Sequence, residues 1–136
     1  MLSPVEFIDL YAQAGAKKAA NSAQRLCLSA VLAGFLIAAG AVVANTAGHM
    51  LTFGLIMVII TGAELFTGNC LITISVLEKK ASLAGMVRNL VIVYIGNLLG
   101  AVVLASAIVY CGQLDLSAGA LAVHTIRTAA AKCAIP

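Results

Sequence analysis

Charged residues divide the chain into apolar stretches whose lengths predict the main elements. Leu26 to Ala47 carries no charge, and its 22 residues, at about 1.5 Å each, reach roughly 33 Å, enough to cross a bilayer. Leu51 to Leu77 is apolar again but is interrupted by Glu64, within Thr61-Gly-Ala-Glu-Leu-Phe-Thr-Gly-Asn69. Asn89 to Tyr110 has no ionisable group except Tyr94 and Tyr110. Three membrane spans follow, over 26–47, 51–77 and 89–110. The middle one cannot be one plain helix. Leu51 to Ala63 and Gly68 to Leu77 are each too short to cross alone, but with a break between them they suffice.

The flanks add detail. Ser3-Pro-Val-Glu6 supplies an N-cap, a proline at the first helical position and a glutamate three residues after the cap, so a helix is expected to start there. Phe7, Leu10, Tyr11 and Ala14 then recur at helical spacing opposite Glu6, Asp9, Gln13 and Lys17. That pattern predicts an amphipathic helix within 1–24. It fits a helix on the membrane surface and equally a solvated helix packed on a neighbouring subunit. Asn45, Thr46, Gly48 and His49 read as a polar turn, and Glu78 to Ser82 as another. Ala30, Gly34 and Ala38 in the first span and Gly96 and Gly100 in the third are small-residue stripes that admit a close helix neighbour, with Asn97 as a hydrogen-bonding candidate. The tail, 111–136, is mixed and is taken as an outer-side loop segment.

Composition confirms the class and narrows the function. The 136 residues are 62% hydrophobic and 10% charged, with a mean hydropathy of +1.10, far from the balance of a soluble domain. Lys17, Lys18, Arg25, Lys79, Lys80 and Arg88 share one side of the three-span layout, against Arg127 and Lys132 on the other. The N-terminus is therefore expected in the cytoplasm, in a cell inner (plasma) membrane. The net charge of +3 is scattered over these flanks and gives no reason to expect nucleic-acid binding. Cys27, Cys70, Cys111 and Cys133 are far apart, without a Cys/His pairing, and read as small buried apolar residues. The first 21 residues contain Glu6, Asp9, Lys17 and Lys18 and no apolar run fit for a signal peptide. Neither a nucleophile–base pair nor a metal cluster is apparent, so no enzyme and no cofactor are expected.

Chemistry concentrates at the interrupted span, because non-helical backbone at membrane depth is tolerated only when buried in protein or lining a watery cavity. The second half-helix is expected to begin at Thr67-Gly68-Asn69, with free N–H groups and a positive dipole end that favour an anion. Glu64 is costly there when charged. It is expected to be protonated or held by backbone N–H groups of the break, bracing the loop with Asn69 rather than touching a ligand. Leu65 and Phe66 fit either an apolar constriction that strips water from an ion or plain lipid-facing or core positions.

The motif Thr61 to Asn69 closely resembles the signature of the formate/nitrite transporter family. The resemblance extends to Ser3-Pro-Val-Glu-Phe7, to Ala14-Gly-Ala-Lys-Lys18, and to Arg88-Asn89 with Tyr94-Ile-Gly-Asn97. It implies an all-α membrane protein with three transmembrane helices, the second broken, preceded by the amphipathic N-terminal helix. This would be one inverted repeat of an aquaporin-like six-helix fold that assembles as a homo-pentamer. It further implies a pore for small monovalent anions such as formate, nitrite and hydrosulfide. Thr67 would face that pore, with Leu55 at its cytoplasmic constriction and Leu65 and Phe66 at the outer one. Lys132 would lend positive potential to the pore centre, although from its residues alone it reads as a solvated surface charge.

Against that pattern, the chain reaches Pro136 without a second repeat or the histidine it carries in the family, and His49 and His124 do not match that histidine. Leu51 stands where some members have phenylalanine. The expectation is the N-terminal half of an anion channel, as a truncated or fragmentary chain. The competing expectation is a non-conducting membrane module that oligomerises through its small-residue stripes.

Overall fold

The computed structural model describes residues 3–47 and 51–134. Gly48, His49, Pro136 and the side chain of Leu51 lie outside the described residues. Among the described residues the fold is entirely helical. Its elements are α1 (Pro4–Ala19), α2 (Ala23–Ala47), α3 (Leu51–Thr61), α4 (Phe66–Asn69), α5 (Ile72–Leu77), α6 (Leu83–Tyr110), a 3-10 turn (Gln113–Asp115) and α7 (Ala120–Cys133). By length and composition α2 and α6 can cross a membrane, and the bent pair Phe53–Thr61 and Phe66–Leu77, at 56°, can form a third span.

Helix ends are set by local chemistry. Ser3 and Glu6 form a reciprocal capping box at α1: the Glu6 N–H donates to the Ser3 hydroxyl at 3.3 Å, and the Ser3 N–H donates to the Glu6 carboxylate at 2.8 Å. The Ser3 N–H and the Ser3 hydroxyl, both donating to the Glu6 carboxylate, hold it below its ordinary range. The α6 helix starts at Leu83, capped by Ser82, well before the hydropathic run at Asn89. Hydropathy marks where charge stops, whereas the helix continues through Arg88. The loop expected over 111–136 instead holds α7. Ala120, Ala122 and Ala129 to Ala131 are strong helix formers, and Gly119, at φ +82°, supplies the left-handed residue before it.

The two long helices share the most extensive contact in the molecule. A Cβ on Gly96 would stand 2.5 Å from the Ala30 methyl, one on Gly34 would stand 2.6 Å from the Asn97 carbonyl carbon, and one on Gly100 would stand 2.7 Å from the Phe35 nitrogen. The small-residue stripes therefore face each other within one chain, which removes them as the surface through which a module would oligomerise. With lipid tails as apolar as leucine, this close packing rather than an oily core holds the helices together. The buried apolar residues are accordingly few. They form two small clusters, around Leu26, Ala30 and Val93 and around Ala33, Val58 and Ala63. The four cysteines, expected to be buried, are all exposed on this chain. A thiol behaves as a small apolar group and loses little when it faces lipid.

One face of the N-terminal helix finds its partner within the chain. It packs on α5 of its own chain, burying Ala12 and Gly15. Gly15 leaves space that the Ser75 side chain fills, since any Cβ there would overlap the Ser75 hydroxyl. An ion pair between Lys80 and Asp9 and a hydrogen bond from Arg88 to the Asn21 carbonyl (2.7 Å) tie the same end of the molecule. The hydrogen bond and charge of Lys80 hold the Asp9 carboxyl below its usual value. A depressed carboxylate stabilises the fold above its unfolded pKa and ceases to do so as pH falls through the folded value. Hydrogen-exchange protection of α1 is thus expected to stay level from neutral to about pH 5 and to decline below about pH 4. The decline should be shallower in Asp9→Asn. An identical profile in the variant would show that the Lys80–Asp9 pair does not contribute.

Candidate functional site

The break in the middle span begins where Gly62 takes φ +63° after Thr61. The Gly62 N–H donates to the Ile59 carbonyl and the Ala63 N–H donates to the Val58 carbonyl, at 3.2 and 3.1 Å. That is the αL helix stop that glycine favours. Residues 63–65 are non-helical, and α4 starts at Phe66, one residue before the expected Thr67.

Groups from three other helices occupy the polar atoms of this interruption. The Glu64 N–H donates to the Ser29 hydroxyl on α2 at 3.2 Å. The Asn97 amide on α6 donates to the Glu64 carbonyl (2.9 Å) and to the Ala30 carbonyl (2.8 Å), and accepts from the Phe66 N–H (2.9 Å). Glu64 is 7% exposed. Its carboxylate is held by the ammonium of Lys18, at 2.9 Å, and not by backbone N–H groups of the break. A backbone group can donate only from where the chain places it, whereas the long Lys18 side chain reaches in from α1. The same ammonium donates to Asn69 Oδ1 at 2.9 Å. The Asn69 amide donates to Asn89 Oδ1 (2.9 Å), and Asn89 donates back to the Lys18 carbonyl (3.0 Å). Asn69 and Asn89 are fully buried, so their saturation matters: an unpaired buried amide costs about 1–3 kcal/mol.

Two grooves flank the break. One, of about 420 Å³, is lined by Lys18, Leu55, Val58, Leu65 and Thr67 among others. The other, of about 340 Å³, is lined by Gly34, Leu65, Phe66, Thr67, Tyr94 and Asn97 among others. Leu65 and Thr67 therefore form a ridge bordering both, while Leu55 stands on one side and Phe66 on the other. Phe66 meets the Tyr94 ring edge-on at 5.6 Å between centroids. Lys132 lies in the last turn of α7, exposed, and lines neither groove. Among the described residues no group of three His, Cys, Asp or Glu is placed to hold a metal.

The sequence places Lys18 among the orientation charges and, with Asn89, in the motifs of the family resemblance, but assigns neither of them, nor Ser29, to the break. A signal for Lys18 existed. It falls three residues after Gly15 and seven after Tyr11, about 100° around α1 from Lys17. Ser29 carried no comparable local cue.

Comparison with known proteins bears on the same residues. The chain is 46% identical over 59 residues to a probable formate transporter of Methanothermobacter thermautotrophicus, covering 43% of this chain and 22% of the relative. It is 31% identical over 145 aligned positions to the formate channel FocA of Haemophilus influenzae, covering 94% of this chain and 51% of that channel. The chain thus spans about half the length of the second relative and less of the first. No solved structure matches it significantly. The family profile described as formate/nitrite transporter matches residues 5–136, almost the whole length, and the chain belongs to that family.

Proposed function

We propose that this chain lines a path for small monovalent anions of the formate, nitrite and hydrosulfide type. The path runs across a cytoplasmic membrane, with the N-terminus inside and the intact protein a homo-pentamer. The observation that carries the reading is the Lys18 ammonium at the edge of the groove that Leu55, Leu65 and Thr67 line beside a broken span. Two acceptors, Glu64 and Asn69, occupy two of its three N–H donors. The remaining donor and the positive charge can serve a passing anion.

Leu55 and Leu65 would strip water from the permeant. The Thr67 hydroxyl, exposed on the ridge, would donate to it in place of that water. A proton acquired on the way makes a weak acid neutral and lowers the cost of crossing an apolar slit, which favours small weak-acid anions over halides. With the N-terminus inside, α3 enters from the outer side, so Leu55 would serve the outer approach and Leu65 and Phe66 would lie deeper. That reverses the order implied by the resemblance. Lys132, near the outer end, would add to the approach potential without touching the path.

Formate uptake by the chain reconstituted in lipid vesicles tests the proposal. Saturable uptake, competed by nitrite and lowered about tenfold by Thr67→Val, is expected for the loss of one hydrogen bond to a charged group. Uptake no faster than in empty vesicles would overturn the conducting reading and leave a non-conducting membrane module.

A further inference from the structure

Leu65 holds an extended backbone, φ −103° and ψ 134°. In that conformation the carbonyl of the residue before it and the N–H of the residue after it point to the same side. These are the two backbone groups that the Asn97 amide engages, donating to the Glu64 carbonyl and accepting from the Phe66 N–H, both at 2.9 Å. One side-chain amide thus pairs with residue 65 as a neighbouring strand would. Its remaining N–H is fixed on the Ala30 carbonyl of α2 at 2.8 Å. Asn97 is brought this close because Gly34 has no side chain between the two long helices.

We propose that Asn97 is a positioning residue for the anion path: by pairing both sides of Leu65 it fixes the extended turn, and so sets where Leu65, Phe66 and Thr67 stand between the two grooves. The assignment rests on the reading of those grooves as an anion path. Its geometric part stands apart from transport. If residue 65 turned helical, its flanking carbonyl and N–H would no longer share a side. Both bonds to Asn97 would be lost, and the side chains that follow would rotate with the turn.

The test uses a Thr67→Cys reporter in the chain with Cys27, Cys70, Cys111 and Cys133 replaced by serine, reconstituted in lipid vesicles. The reporter is labelled with a charged methanethiosulfonate. Rates are expressed relative to the same reporter with Asn97 intact at the same pH, which cancels the thiol's own titration. Asn97→Leu removes all three bonds and is expected to change the relative rate about tenfold at every pH, with unchanged helix content by circular dichroism. Asn97→Asp keeps the acceptor for Phe66, but when ionised it sets a carboxylate oxygen against the Ala30 and Glu64 carbonyls. It is expected to behave as Asn97→Leu at high pH. At low pH, where the protonated acid can donate again, it should recover to within about twofold of the parent.

A relative rate near one for Asn97→Asp at all pH values would overturn the assignment, even if Asn97→Leu failed to fold. Formate uptake measured on the same vesicles separates the two claims. A pH-dependent labelling rate without any uptake in the parent would sustain the positioning role and defeat the transport reading.

Discussion

Replacing Lys18 with methionine is expected to lower the thermal midpoint of the chain in detergent by on the order of 10 °C. The substitution keeps the length and apolar stem of the side chain but strands the Glu64 carboxylate, 7% exposed, without a cation, and deprives Asn69 Oδ1 of its donor. Removing one member of a buried pair costs about 3–5 kcal/mol in soluble proteins. The Lys18 side chain is 39% exposed on this chain, so about 2–3 kcal/mol is the appropriate expectation here. Most of that loss belongs to the orphaned carboxylate rather than to the pair. The double variant Lys18→Met with Glu64→Gln should therefore recover at least half of the lost midpoint. A single Lys18→Met variant within about 2 °C of the parent would mean that the pair does not brace the break.

Gly34→Ala is expected to destabilise the chain by about 3 kcal/mol, at the upper end of overpacking effects. The added methyl would overlap the Asn97 carbonyl, with 2.6 Å to its carbon and 2.7 Å to the Asn97 Cα. Those atoms are backbone and cannot turn aside. The long helices must separate, and separation draws Asn97 away from Ala30 and the break. Gly68→Ala is the matched control: the same methyl there meets nothing within 4 Å, in a residue of ordinary helical conformation. It should leave stability within about 0.5 kcal/mol of the parent. Equal effects at the two sites, measured by thermal melting in the same detergent, would show that close packing does not govern the seam, since helix propensity alone favours alanine at both.

Hydropathy locates a span by where lipid-compatible residues run, which is why α2 and α6 finish at the expected C-terminal ends yet begin earlier than the apolar runs. The interruption was legible for a similar reason. Glu64 is too polar for lipid and Gly62 is a ready helix stop, both readable within nine residues of sequence. Glu64 and Asn69 share a partner that no local pattern indicates, an ammonium 46 residues before Glu64 in the chain. Leu65 and Thr67 border both grooves, whereas Leu55, on α3, lines only one and Phe66 only the other.

By itself the sequence determined that this is a helical membrane chain with one broken span, and roughly where each helix lies. Those features depend on local propensity, capping and the solvent that each stretch can face. Only the tertiary structure decided how the broken backbone is satisfied. The bonds from Ser29, Asn97 and Lys18 to the break span 31 to 51 positions of chain, and the link from Asn89 to the Lys18 carbonyl spans 71. Such pairings depend on the approach of helices along a seam of glycines, and no local pattern specifies which distant side chain will arrive. The same approach turned the small-residue stripes inward upon each other and brought Lys18 to the middle of the site.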